Sequence, residues 1–157
     1  DLSWVTADTT AFDLAGNYAL LVPGGAAHRP EKRWSASAYG ELSVRLMDKG
    51  IQPVLLGTLG EREVLDEIMA LCPGIKNLAD QTDFSQIVAL ARKAQFSVGN
   101  DTGPMHLIAV AGCRSIVLYS GASDPALCAQ RGRDVRILRR DRLSELSVDE
   151  VLADDAS

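Results

Sequence analysis

Residues 95–112 constrain the fold more than any other stretch, because a strand, a glycine-containing turn and a helix follow one another there. Residues 95–98 (Gln-Phe-Ser-Val) have the length and apolar character of a short buried strand. Residues 105–111 predict a helix that ends at Gly112. A strand that passes through a sharp turn into a helix is typical of α/β proteins, so this stretch favours that class.

The turn between this strand and this helix has the composition of a phosphate-binding loop. Gly99 and Gly103 permit either a positive φ or a close approach of the backbone. Thr102 suits the N-cap position and Pro104 suits the first helical turn. The N–H groups there would lie at the positive end of the helix dipole, which contributes roughly 0.3–2 kcal/mol to anion binding. The turn therefore predicts a phosphate site.

Strands and helices alternate along the whole chain. The predicted strands are residues 18–22, 51–56, 75–79, 95–98, 115–119 and 135–138. The predicted helices are residues 35–49, 58–72, 84–93, 105–111 and 148–153. Three pairs with capping-box spacing support the helix starts: Thr58 with Glu61, Asp83 with Gln86, and Ser147 with Glu150. The alternation predicts an α/β fold with a doubly wound parallel, Rossmann-like sheet.

Composition narrows the function classes. A chain of 157 residues, 46 % of them hydrophobic, can form one domain with a substantial core. The net charge of −5 disfavours a nucleic-acid partner, which would be bound through Lys and Arg. Cys72, Cys113 and Cys128 lack a CxxC pair or metal-ligand spacing, so we expect reduced thiols in a cytosolic protein and no metal site. The start at Asp1 resembles no signal peptide and leads us to expect an excised domain.

The chemistry should lie beyond the carboxyl ends of the strands, where open α/β sheets bind their ligands. Gly24 and Gly25 follow the first strand, and Glu61 follows the second. Lys32 and Arg33 could neutralise a diphosphate, and Glu61 could accept hydrogen bonds from a ribose. No GxGxxG follows the first strand and no Gly-Lys-Ser/Thr occurs, so neither a dinucleotide fingerprint nor a Walker motif is present.

Each candidate also has a purely structural interpretation. Gly24 and Gly25 could form a plain turn, and Lys32 and Arg33 could be solvated surface charges. We favour ligand contact for all four. For Glu61, helix capping alone is as good an interpretation as ribose binding.

Two further candidates lie beside the predicted phosphate site. Asp101 could merely stabilise the turn, and His106 could be a hydrogen-bonded core histidine. We favour a sugar contact for Asp101 and a role at the phosphate site for His106, whereas Met105 is expected in the core.

The Asp-Thr-Gly-Pro-Met-His motif at residues 101–106 resembles the signature of glycosyltransferase family 9, the lipopolysaccharide heptosyltransferases. Further matching stretches follow the family's order: residues 22–25 (Val-Pro-Gly-Gly) with 31–34 (Glu-Lys-Arg-Trp), Gly57 with Glu61, and 119–125 (Tyr-Ser-Gly-Ala-Ser-Asp-Pro). The resemblance covers about residues 18–128, and it extends only to the C-terminal half of that family.

The resemblance implies the C-terminal half of a GT-B glycosyltransferase, a fold in which two Rossmann-like domains face each other across a cleft. Residues 1–17 would be an interdomain linker, and residues 18–157 would bind a nucleotide-sugar donor, typically ADP-heptose. The implied reaction is an inverting, metal-independent transfer of heptose or a similar sugar to a lipid-linked saccharide of the lipopolysaccharide type. The missing N-terminal acceptor domain would supply the general base, so the isolated chain should be catalytically incompetent. No cofactor is implied.

The resemblance also implies roles for single residues around the donor's phosphates and sugar. Asp101 would contact the sugar, and backbone groups of Thr102 and Gly103 would bind the β-phosphate. Lys32 would offset the diphosphate charge, and His106 would support the loop or the phosphate. Lys32 and Asp101 would thereby support the transition state.

The nucleoside would lie further along the same edge. By resemblance, Glu61 would hold the ribose and the region around Thr82 would line the base pocket. Gly25 and Ala26 stand where some family members place threonine hydroxyls, so phosphate contacts there would come from backbone N–H groups.

Three other functions stay open. The half-fold could belong to a GT-B-like sugar-nucleotide epimerase, or the chain could be a non-catalytic Rossmann-like binding module. A nicotinamide-dependent oxidoreductase domain is disfavoured by the missing GxGxxG. For the glycosyltransferase, the resemblance implies a cytoplasmic enzyme that is peripheral at the inner membrane.

Overall fold

The predicted alternation of strands and helices is confirmed. The computed structural model describes residues 14, 16–24, 34–57, 61–100, 102–120, 135–140, 143 and 146–155. The strands are β1 (Tyr18–Val22), β2 (Gln52–Leu55), β3 (Lys76–Asn77), β4 (Phe96–Asn100), β5 (Ser115–Ser120) and β6 (Val135–Arg140). The helices are α1 (Ala36–Asp48), α2 (Arg62–Leu71), α3 (Phe84–Lys93), α4 (Gly103–Val110) and α5 (Val148–Asp155).

The strands form one parallel sheet in the order β3-β2-β1-β4-β5-β6. Strand β1 lies at its centre, where Leu20 pairs with Val54 of β2 and with Ser97 of β4. The strand order reverses between β1 and β4, which is the switch point of a doubly wound sheet. The predicted Rossmann-like architecture is therefore confirmed.

Helices cover both faces of the sheet, so the central strand β1 is apolar throughout. From β1, Ala19 and Leu21 pack in the core cluster that contains residues of α1, α2 and α5. Tyr18, Leu20 and Val22 pack in a second cluster with residues of α3 and α4. Successive side chains of a strand point to opposite faces, and burial on both sides explains why the run 18–22 shows no polar alternation.

Two of the three predicted capping boxes form. At α3, the Asp83 carboxylate accepts from the Gln86 N–H, and the Gln86 amide oxygen accepts from the Asp83 N–H, each at 2.9 Å. At α5, the Glu150 N–H donates to the Ser147 hydroxyl at 3.1 Å, and the Glu150 carboxylate accepts from the Ser147 N–H at 3.2 Å.

The capping box predicted around Glu61 is wrong. Helix α2 begins at Arg62, so Glu61 occupies the N-cap position instead of the third helical position. Its side chain makes no capping hydrogen bond. Thr58, the other predicted member, lies outside the described residues.

Cys72 and Cys113 are buried reduced thiols, as predicted, while Cys128 lies outside the described residues. Among the described residues, no three His, Cys, Asp or Glu side chains cluster as metal ligands would. None of the helices in the described ranges has both the length and the apolar character needed to cross a membrane.

Candidate functional site

Helix α4 begins directly beyond the carboxyl end of β4, beside the switch point of the sheet. The Thr102 hydroxyl accepts a hydrogen bond from the Met105 N–H at 3.4 Å, and Pro104 in the first turn has no N–H. The His106 N–H already donates to the Thr102 carbonyl at 3.1 Å. By the geometry of helix starts, the N–H groups of Thr102 and Gly103 have no acceptor within α4. These two N–H groups lie at the positive end of the helix dipole, where the chemistry suits an anion.

Gly99 holds this end of α4 close to the sheet. A methyl group on Gly99 would lie 2.7 Å from the sulfur of Met105 and 2.9 Å from Cβ of Val22. Among the described residues, the glycines with positive φ are Gly16, Gly50 and Gly112, so Gly99 serves close packing and not an unusual backbone angle. Met105 is fully buried at this contact, as predicted.

The carboxylate of Glu61 lies across the ends of β1 and β2. A methyl group on Gly24 would fall on the carboxylate itself, and one on Gly57 would lie 2.8 Å from Oε1 of Glu61. Only residues without a side chain leave room for the carboxylate at these two positions. The structure thus brings Glu61 and Gly24 together at the predicted edge of the sheet.

Sequence reasoning missed Asn100, the last residue of β4. Its side chain is 2 % exposed and makes four hydrogen bonds. The amide nitrogen donates to the carbonyls of Pro23 at 2.9 Å and Gly24 at 3.2 Å. The amide oxygen accepts from the Trp34 backbone N–H at 3.2 Å and from the Tyr39 hydroxyl at 3.1 Å. One buried amide therefore joins the end of β1, the start of α1 and the end of β4.

Trp34 extends this cluster toward the C-terminal segment. Its indole N–H donates to the carbonyl of Leu146 at 2.9 Å, and its ring packs edge-on against Tyr39 with centroids 5.1 Å apart. Burial raises the pKa of Tyr39 above its usual range, so its hydroxyl stays protonated as a donor. The Trp34 N–H, the Tyr39 hydroxyl and the Asn100 amide are thus all satisfied in a dry environment.

A sequence signal for this cluster existed. Asn100 is a polar residue at the end of an apolar strand buried on both faces, where an amide needs partners to offset its desolvation. Trp34 is the last residue of the Glu-Lys-Arg-Trp stretch, in which only the charged residues Lys32 and Arg33 were predicted to have a role. The partners themselves are 61–77 residues distant, beyond the reach of local pattern analysis.

His106 and Thr82, two more of the predicted site residues, differ from each other in exposure and in their distance from the start of α4. His106 is exposed on the first turn of α4, so the core-histidine interpretation is wrong. Thr82 is half-buried in the loop between β3 and α3. That loop is tied to the end of β2, because the N–H of Asp80 donates to the carbonyl of Gly57 at 2.9 Å.

Of the predicted site residues, the structure places Gly24, Glu61, Thr82, Thr102, Gly103 and His106 along one edge of the sheet. The predictions for Gly25, Lys32, Arg33 and Asp101 fall outside the described residues. With neighbouring strands about 4.8 Å apart, this edge extends about 14 Å from β4 to β3.

An open depression of about 490 Å³ lies elsewhere, near the carboxyl end of α1. It is lined by Arg45, Asp48, Lys49, Asp149 and Leu152. Arg45 forms ion pairs with Glu41 and with Asp149, so opposite charges meet within and beside this depression. It shares no residue with the edge described above.

Comparison with protein families finds a match that covers most of the chain. The family model of glycosyltransferase family 9 (heptosyltransferase) matches residues 3–150. Lipopolysaccharide heptosyltransferase 2 of Escherichia coli K12 is 34 % identical over 120 residues, which cover 73 % of this chain and 34 % of that protein. The chain thus spans about a third of the length of this curated relative.

Solved structures show the same similarity. The E. coli ADP-heptose LPS heptosyltransferase II superposes with a TM-score of 0.82 at 28 % identity, covering 92 % of this chain and 47 % of that one. E. coli heptosyltransferase WaaC with ADP gives a TM-score of 0.78 at 26 % identity, covering 90 % and 45 %. The same enzyme with ADP-2-deoxy-2-fluoro heptose gives 0.76 at 25 % identity, covering 91 % and 44 %.

Proposed function

The chain belongs to glycosyltransferase family 9, the heptosyltransferase family, and from this premise we propose that it is the donor-binding domain of an inverting, metal-independent glycosyltransferase. The proposed donor is a nucleotide-diphosphate sugar of the ADP-heptose type. This assignment is supported by the similarity to WaaC, whose structures carry ADP and an ADP-heptose analogue. The proposed acceptor is a lipid-linked saccharide of the lipopolysaccharide type, as the name of the E. coli relative suggests.

The observation that carries the proposal is the start of α4 at the switch point of the sheet. There the N–H groups of Thr102 and Gly103 point out of the helix at the positive end of its dipole. In our proposal they bind the β-phosphate of the donor. As the sugar departs, negative charge grows on the diphosphate, and fixed donors that need no reorganisation stabilise it.

Charged side chains complete the phosphate and sugar site in our proposal. Lys32 and Arg33 offset the diphosphate charge, and Asp101 contacts hydroxyl groups of the sugar. Gly25, which follows Gly24, offers its backbone N–H. His106, exposed on the first turn of α4, supports the phosphate or its loop.

The nucleoside is proposed to lie along the edge from β4 toward β3. Glu61 is placed for the ribose, because its carboxylate lies between the ends of β1 and β2. The loop that contains Thr82 follows β3 and provides one wall for the base. The phosphates, ribose and base would thus follow the order of the strands across about 14 Å.

The chain is proposed to need a second domain for catalysis. Deprotonation of the acceptor hydroxyl requires a general base within hydrogen-bond reach of it, and we assign that base to an N-terminal acceptor domain. The isolated chain should therefore bind the donor without transferring its sugar. The complete enzyme is proposed to be cytoplasmic and peripheral at the inner membrane, where such an acceptor lies.

Thermal unfolding with and without nucleotides tests the proposal. A ligand at ten times its Kd stabilises the folded chain by about 1.4 kcal/mol, enough to raise the Tm by a few degrees. We expect this shift with ADP and ADP-heptose, and we expect Lys32→Ala and Asp101→Ala to reduce it. Lys93→Ala is the matched control, because Lys93 is an exposed lysine at the far end of α3.

Other outcomes identify the competing functions. Stabilisation by NAD and not by ADP would favour the oxidoreductase. No stabilisation by ADP, UDP, NAD or ADP-heptose would contradict donor binding and favour a non-catalytic module. Sugar transfer by the isolated chain would contradict its proposed need for a second domain.

A further inference from the structure

We propose that Asn100 is a positioning residue that sets the relative placement of the segments that bind the donor's β-phosphate. The inference rests on the donor-binding function proposed above. The Asn100 side chain is buried and does not reach solvent. In this proposal it holds three ligand-binding segments at fixed distances from one another.

The partners of Asn100 show which segments it holds. The carbonyls of Pro23 and Gly24, which its nitrogen binds at 2.9 and 3.2 Å, immediately precede Gly25. The Trp34 N–H, which its oxygen accepts at 3.2 Å, immediately follows the Lys32-Arg33 pair. Asn100 itself immediately precedes Asp101. Each segment with a proposed phosphate or sugar contact is therefore anchored within one or two residues of this amide.

The amide is used to its full capacity. A primary amide has two N–H donors and two acceptor lone pairs, and Asn100 uses all four. Alanine would leave the two carbonyls, the backbone N–H and the Tyr39 hydroxyl without their partner in a buried site. A buried group stripped of its partner is expensive, so the two loops would move toward other acceptors or water.

A second buried polar residue on β4 shows what a purely structural role looks like. Ser97 is fully buried, and its hydroxyl donates to the hydroxyl of Ser115 on the neighbouring strand at 3.0 Å. That bond links two strands that already pair along the ladder. The partners of Asn100 instead belong to segments that do not pair with β4 at these positions. Pro23 follows β1, Trp34 precedes α1, and Tyr39 lies in the first turn of α1.

Titration of ADP and AMP into the 157-residue chain separates positioning from mere stability. ADP carries the β-phosphate that Thr102 and Gly103 are proposed to bind, and AMP does not. A variant that displaces the phosphate-binding segments should weaken ADP binding more than AMP binding. A variant that only lowers the folded population should weaken both by the same factor.

The variants are uncharged, so that no new charge acts on the phosphates. Asn100→Ala should raise the Kd for ADP about tenfold or more and the Kd for AMP less than about threefold, as expected when a hydrogen-bonded group is lost from a buried site. Tyr39→Phe removes one of the four hydrogen bonds and should raise the Kd for ADP about two- to fivefold. Ser97→Ala, the matched control on the same strand, should change either Kd less than about twofold. Calorimetric titrations are made at a temperature where circular dichroism shows each variant folded.

The possible failures are distinguishable. Equal losses for ADP and AMP, or an unchanged Kd for ADP in Asn100→Ala, would overturn the positioning role while leaving donor binding intact. A wild-type chain that binds neither nucleotide would overturn the donor-binding proposal itself, before any substitution is made. If Asn100→Ala does not fold, the graded loss predicted for Tyr39→Phe decides the question, and its absence overturns the positioning role.

Discussion

Helices α3 and α4 pack in the same core cluster and both begin at the carboxyl edge of the sheet, yet their first turns are completed differently. At α3, Asp83 and Gln86 form a complete capping box, so a carboxylate of the chain itself lies at the positive end of the helix. At α4, a neutral hydroxyl, that of Thr102, caps the Met105 N–H, and the first turn contains no acidic residue.

The difference in capping bears on our proposal that the start of α4 binds the phosphate of the donor. Each N-terminus carries about half a positive charge. Asp83 neutralises that charge at α3 from within the chain, whereas the Thr102 cap at α4 is uncharged and leaves the N–H groups of Thr102 and Gly103 without an acceptor inside the helix. In our proposal, this difference in capping, and not the helix dipole that both helices share, makes the start of α4 the one that binds phosphate.

The largest effect is expected at Gly99, which lets α4 approach the sheet closely. The start of α3 does not depend on such a glycine contact among the described residues. Gly99→Ala places a methyl group 2.7 Å from Met105 and 2.9 Å from Val22, and overpacking of this kind costs about 1–3 kcal/mol. Urea unfolding measures the loss. In a double-mutant cycle, Met105→Ala should cost less in the Gly99→Ala background than in the wild type, because it removes the atoms that the methyl group strikes. Strict additivity would contradict this explanation.

A second test converts the start of α4 into that of α3. Thr102→Asp supplies a carboxylate at the N-cap, which should stabilise the unliganded chain by about 0.3–1 kcal/mol. The same carboxylate occupies the proposed phosphate position, so the Kd for ADP should rise at least about tenfold. Urea unfolding and ADP titration on one sample report both changes. Unchanged ADP affinity would exclude the start of α4 as the phosphate site.

The reciprocal change at α3 is the control. Asp83→Ala removes the carboxylate that caps Gln86 and should lower the free energy of unfolding by about 1 kcal/mol. Its Kd for ADP should stay at the wild-type value. A loss of ADP affinity equal to that of Thr102→Asp would erase the distinction between the two helix starts.

The last test concerns how α3 is attached to the sheet, and its effect appears only at high pH. The Tyr18 hydroxyl of β1 donates to the Leu90 carbonyl of α3 at 2.5 Å, and burial, then the nearby Cys113, raises the pKa of Tyr18 to about 12. The unfolded chain loses this proton near pH 10, so stability is complete below pH 10 and declines as pH rises toward 12. Urea unfolding between pH 9 and 12 should show a shallower decline for Tyr18→Phe than for the wild type. Parallel profiles would contradict the assignment to Tyr18.

Local sequence patterns predicted the parts of the fold that depend on neighbouring residues. The α3 capping box joins residues three apart, and the sequence located both partners. The strand–turn–helix at β4 and α4 was predicted for the same reason, with Thr102 as N-cap and Gly112 just past the helix end. Strand lengths were less accurate, because ladder ends depend on the partner: β3 pairs only at Lys76 and Asn77, although residues 75–79 were predicted.

Contacts of the candidate site between residues far apart in sequence were not predicted. Glu61 was expected at this edge, either as a ribose ligand or as a local capping partner. The capping pair does not form, and the contacts of its carboxylate with Gly24 and Gly57, at the ends of two strands, were not predicted. Asn100 carried only a general signal, that of a polar residue at the end of a buried strand, and its four partners come from two other segments. Pairings of this kind follow from strand order, which the alternation of elements predicts only as a class.

The bond from the Trp34 indole to Leu146 spans 112 residues and has a consequence for biosynthesis. Contacts at such separation form only after a large loop-closure entropy has been overcome, so they form late in folding. During translation, Trp34 leaves the ribosome long before the segment that covers it. A nascent chain that ends before Leu146 can pair β1, β2 and β4 but leaves an indole edge uncovered beside the Asn100 amide. The cluster around Asn100 is therefore completed only after the segment at Leu146 has been synthesised.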